Sequence, residues 1–188
     1  MRVWLCSAWV LLTVAACGQE IRYNSDGQLL RPVNYREWVF LTAGLDMTYG
    51  TPPASPNAAP RFDNVFVNPS SYRAFLESGK WPDKTIFVLE IRNSATNVSI
   101  NKGGHVQNDL VAVEAAVKDE QRFPEKWAYF GFPALPGPIP ATAKANPQGR
   151  CWACHNANGA VDNTFVQFYP TLIPVAQSKG TLKPKSTN

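Results

Sequence analysis

Five consecutive residues near the C-terminal end, Cys151-Trp152-Ala153-Cys154-His155, restrict what this chain can be more than any other stretch of it. Their C-x-x-C-H spacing is that of a c-type haem attachment site. Two thiols on one helical turn reach the two vinyl groups of a haem, and the next residue puts an imidazole under the iron. Because a covalent link holds such a cofactor, His155 can act as proximal ligand without a large enclosing pocket. A thioredoxin-like redox pair or half of a zinc site shares the C-x-x-C spacing. A redox pair does not require the adjacent histidine, however, and a zinc site needs a fourth ligand in a chain with two histidines and four cysteines. The expectation is one covalent c-type haem (haem c) on Cys151 and Cys154, with His155 on the iron.

The other cysteines lie elsewhere. Cys6 falls within Val3 to Ala16, an apolar run after Arg2 that is too short to span a bilayer comfortably and ends in small residues. Residues 1–16 read as an export signal. Val14-Ala15-Ala16-Cys17 resembles a bacterial lipobox, which would make Cys17 an acylated mature N-terminus and a membrane tether. Ordinary cleavage after a small residue, with Cys17 incidental, is the alternative. Export fits the haem motif and predicts a periplasmic location. The charge balance, 18 basic against 14 acidic residues, is mild and thinly spread, so nothing resembles a nucleic-acid surface.

After a polar lead over residues 17–33, alternation and β-branched or aromatic content predict five strands: 37–42, 62–67, 85–92, 110–118 and 127–132. Thr51 to Pro60, with four prolines, is a loop. Asn68 or Ser70 caps a helix that Gly79 ends. A second apolar stretch, Phe165 to Gln177, is interrupted by Pro170 and Pro174. The fold class is α+β: a mainly antiparallel sheet with two or three short helices, in one domain over residues 34–177. A basic tail, 178–188, reads as disordered.

Two positions on these strands bear on chemistry. Phe87, Leu89 and Ile91 share one face of their strand, and Ala112, Glu114 and Ala116 share one face of the next. A carboxylate at Glu114, in the middle of a small apolar face, is unusual. On the far side of a haem iron the candidate ligands are Met47 and His105, each in a loop, so the default is a five-coordinate iron that binds small molecules.

The stretches Asn34-Tyr35-Arg36-Glu37-Trp38-Val39, Val113 to Asp119, Gln121-Arg122-Phe123-Pro124, Cys151 to His155 and Phe168-Tyr169-Pro170 together resemble the cytochrome P-460 family. The resemblance implies a periplasmic monohaem enzyme and a homodimer. It also implies oxidation of hydroxylamine with nitrogen-oxide products, and a periplasmic electron-transfer partner. The family's distal carboxylate falls on Glu114. Its haem-linking lysine falls on Leu89, which cannot form that link, and Lys84 lies on the opposite strand face. The relative called cytochrome c'-beta also lacks the lysine and has an apolar pocket suited to nitric oxide. Three functions remain open at this point: a redox enzyme acting on hydroxylamine, nitric oxide or peroxide with Glu114 as proton acceptor, a nitric-oxide binder or scavenger, or an electron carrier ligated by His105 or Met47.

Overall fold

The run Ile86-Phe87-Val88-Leu89 is apolar on both faces, and a strand of that kind has to be covered on both sides. It lies at the centre of the sheet in the computed structural model, which describes residues 21–49, 59–134 and 137–183. The signal and Cys17, most of the proline-rich loop and the last five residues lie outside the described residues.

The elements in chain order are β1 (Leu29–Leu30), β2 (Val39–Leu45), β3 (Arg61–Val67), α1 (Pro69–Ser78), β4 (Ile86–Ala95), β5 (Val106–Lys118), β6 (Trp127–Pro133), β7 (Thr142–Ala143), α2 (Cys151–Asn158) and α3 (Ile173–Ser178). The main sheet has the order β2-β3-β4-β5-β6, antiparallel throughout, and β1 pairs with β7 in a separate two-stranded ribbon. This is the α+β architecture the sequence predicts. A bulge between Phe40 and Thr42 bends the edge strand β2.

The sheet separates two cores. One face carries Ile86, Val88, Val113, Ala115, Val117, Phe130 and Phe132, covered by Leu29, Tyr35 and Trp38 from the N-terminal segment. The other carries Val67, Phe87, Trp127 and Tyr129, covered by Phe75 of α1 and by Val161, Val166, Tyr169, Leu172 and Ala176. Glu90 is the charged exception on the first face, at 3% exposure. Arg36 and Arg92 each reach it at 2.6 Å, and the Tyr35 hydroxyl also donates to it. Burial alone would raise the Glu90 carboxyl, but the hydrogen bonds from Arg92, Tyr35 and Arg36 outweigh that and hold it below its usual value.

The N-terminal lead, the β4–β5 hairpin and the tail depart from the sequence expectation, whereas the cap position of α1 and the break at Pro170 follow it. Residues 21–33 are no loose lead: Leu29 is wholly buried, and Leu30 donates its amide to Arg22. The β4–β5 hairpin runs on into the segment 93–108, expected as a polar loop, with Ala95 paired to Val106. Backbone pairing there needs no apolar side chains. Asn68 occupies the cap position of α1, yet its Oδ1 accepts from the Ile86 amide at 3.0 Å and so ties the helix entrance to β4. The stretch 165–177 breaks at Pro170 into a 3-10 turn, Val166–Phe168, and α3. Beyond α3 the Lys183 amide bonds to Ala160, so the start of the expected tail stays on the body.

Candidate functional site

The face of the sheet that bears Leu89 and Glu114 opens into a cavity of about 930 Å³. Its floor follows from the strand register. Val65, Leu89, Glu114 and Gly131 form one row across β3 to β6, and Val67, Phe87, Ala116 and Tyr129 form the next. Leu89 and Glu114 are direct cross-strand partners, which places their β-carbons about 5 Å apart on the same face. No side chain rises from Gly131 beside Glu114, and an added β-carbon there would meet nothing within 4 Å.

Glu114 is reached from within the cavity but crowded by its walls. That desolvation raises its carboxyl above the usual value; the negative charge of Asp63 adds to the rise and Arg150 opposes it. Asp63 lines the same cavity from β3 and is raised in turn, by burial first and by Asp46 next, against Arg61. Asp63 was missed in the sequence, although it alternates with Val65 and Val67 just as Glu114 alternates with Ala112 and Ala116.

The opposite wall is α2. Its eight residues begin after a turn in which Arg150 donates its amide to Pro147 at 3.1 Å, and they end at Gly159. A β-carbon on Gly159 would stand 2.6 Å from the His155 carbonyl oxygen and 2.8 Å from the Thr164 amide nitrogen, so only glycine lets the chain fold back here. The returning loop brings the Asn163 carbonyl to 3.0 Å from His155 Nδ1. A carbonyl only accepts, so Nδ1 carries the proton and Nε2 keeps its lone pair. Tyr129 and Phe165 flank the imidazole with ring centres at 4.3 Å. Burial lowers the pKa of His155, more than the bond to Asn163 restores, and favours the neutral ring.

The two thiols are not bonded to each other. Cys151 lines the cavity and accepts from Asn146 Nδ2 at 3.4 Å, while Cys154 is exposed and has Asn158 Nδ2 at 3.6 Å. Of the two alternative ligands, Met47 lines the cavity and His105 is exposed outside it. The structure therefore gathers Leu89, Glu114, Cys151, His155 and Met47 around one space and leaves His105 out.

A family model for cytochrome P460 matches residues 32–166. The chain belongs to the cytochrome P460 family. A search of curated proteins finds no match to it. Membership makes this P460 chain a haem protein and an iron binder. Its residues fit that group: a neutral imidazole with a free Nε2 and a neighbouring thiol border a cavity floored by Val65, Phe87, Leu89 and Ala116. A wide apolar floor with one strong nitrogen donor at its edge is the donor chemistry a haem requires.

Proposed function

We propose that this protein is an exported c-type monohaem protein performing redox chemistry on hydroxylamine or nitric oxide, with Glu114 as distal proton acceptor. One haem would be joined to Cys151 and Cys154, and His155 would be its proximal ligand. The observation that carries this reading is the common cavity: the wall opposite His155 presents a desolvated carboxylate in an otherwise apolar row. The haem supplies, when bound, a Lewis-acidic and electron-accepting centre at which a small nitrogen compound can bind. Oxidising hydroxylamine releases protons as well as electrons. Glu114 takes up a proton most usefully when its pKa lies near the working pH, and burial moves it that way. Leu89 and Val65 give it apolar neighbours in the strand row, which strengthens its effect on any charge developing nearby. The electrons leave to a periplasmic partner, the chain acts as a homodimer, and Cys17 tethers it to a membrane.

A second reading has its own support. Leu89 stands directly beside Glu114 and makes the floor apolar, which suits a neutral gas such as nitric oxide bound without turnover.

Two measurements test the proposal. Mass spectrometry of the mature protein should find one covalent haem, lost in the Cys151→Ala, Cys154→Ala double variant; covalent haem retained there overturns the attachment. Glu114→Gln should slow hydroxylamine oxidation ~10²–10⁴-fold while nitric oxide still binds. Turnover at the wild-type rate removes Glu114 from the reaction, and no hydroxylamine oxidation by the wild-type protein transfers the assignment to gas binding.

A further inference from the structure

A chain of contacts runs from the end of β5 to the His155 imidazole. Lys118, the last residue of β5, is 7% exposed. Its Nζ donates to the Trp81 carbonyl at 2.8 Å and to Asp162 Oδ2 at 2.7 Å. Trp127 Nε1 donates to the other oxygen of Asp162 at 3.3 Å. Asp162 and Asn163 both hold positive φ, 45° and 60°, a left-handed conformation that aspartate and asparagine tolerate better than other residues with a β-carbon. One residue on, Trp81 Nε1 donates to Thr164 Oγ1 at 2.8 Å. The loop is thus pinned on both sides of Asn163. Its carbonyl accepts from two donors, His155 Nδ1 at 3.0 Å and the Tyr129 hydroxyl at 3.1 Å.

These contacts are arranged to tune one bond. A carbonyl oxygen has two lone pairs, but a second donor drains its electron density and weakens its hold on the first. A stronger bond from Nδ1–H gives the imidazole more anionic character and makes Nε2 a better donor to a metal, which favours the oxidised metal.

We infer that Lys118, Asp162 and Tyr129 are positioning residues that set the donor strength of His155 through the Asn163 carbonyl. Lys118 and Asp162 hold the carbonyl against the ring, and Tyr129 moderates it by sharing the same oxygen. Tyr129 suits the task because its hydroxyl donates to the same oxygen as His155 Nδ1. Glu114 and Lys118 lie on the same face of β5, four residues apart, so one strand fixes both the distal carboxylate and the proximal support.

The inference rests on His155 being the iron ligand, and the test separates the two claims. It uses the ferrous holoprotein, with resonance Raman scattering for the iron–histidine stretch and a redox titration for the midpoint potential. Tyr129→Phe should raise the stretching frequency and lower the potential. Asp162→Asn should do the opposite on both, as should Lys118→Met, and Lys118→Arg should restore wild-type values. Opposite displacements by groups that meet at one loop are not produced by general loosening of the fold, which would lower the unfolding midpoint and leave the band in place. A wild-type spectrum without an iron–histidine band overturns the ligation itself and this inference with it. A wild-type band unmoved by Tyr129→Phe and Asp162→Asn overturns the inference alone.

Discussion

Asp63 and Glu114 reach the cavity from different strands, and the charge of the first raises the second. An acceptor must be deprotonated to work, so activity that depends on Glu114 should rise with pH through its raised pKa. Asp63→Asn removes that neighbouring charge and lets the Glu114 carboxyl fall toward its ordinary range. The acid limb of the rate profile should then move to lower pH, as initial rates across a pH series would record. A limb that stays in place would exclude electrostatic coupling between the two. Glu114 was legible in the sequence because two alanines framed it on an otherwise apolar strand. Asp63 was not, because Arg61 and Asn64 beside it make the start of β3 look like a solvated edge. The C-x-x-C-H spacing was legible outright, whereas the partners of His155 were not. Asp162 and Asn163 acquire their roles only through a loop conformation that no local pattern announces.

At the scale of elements, α1 holds the site from a distance. Phe75 is wholly buried and stacks on Trp81 at 4.1 Å, and Trp81 in turn holds Thr164 in the loop that faces His155. Phe75→Ala should cost ~3–5 kcal/mol, as large aromatic truncations in packed cores do. Urea unfolding would measure the loss, and the pH profile set by Asp63 and Glu114 should not move with it, because Phe75 does not line the cavity that those residues face. A loss below about 1 kcal/mol would mean that the core around α1 closes over the gap. The central strands were readable because their apolar alternation is strong. The outer half of the β4–β5 hairpin was not, since Asn93, Ser94, Gln107, Asn108 and Asp109 carry no apolar period and are held by backbone pairing. The interruption of 165–177 at Pro170 was readable from proline alone.

For the whole molecule, the domain begins earlier than its composition suggests. Residues 21–33 read as polar because Leu29 and a few neighbours are the only apolar groups there, yet Leu29 sits at the centre of one core. A chain starting at residue 34 should unfold at a markedly lower urea concentration than one starting at residue 21, and Leu29→Ala should account for ~2–5 kcal/mol of the difference. An unchanged midpoint would show the segment to be dispensable. The ribbon of β1 and β7 gives this segment a further consequence, in time. Thr142 Oγ1 donates to Gln28 Oε1 across 114 positions of sequence, so that tie can form only after the whole main sheet has been synthesised. Pairings at such separation place a fold toward the slow end of single-domain kinetics, roughly milliseconds to seconds. Until they close, the first core lacks its cover. Lengthening the crossover between β6 and β7 should therefore retard refolding, while doubling the closed loop would cost only ~0.6 kcal/mol at equilibrium.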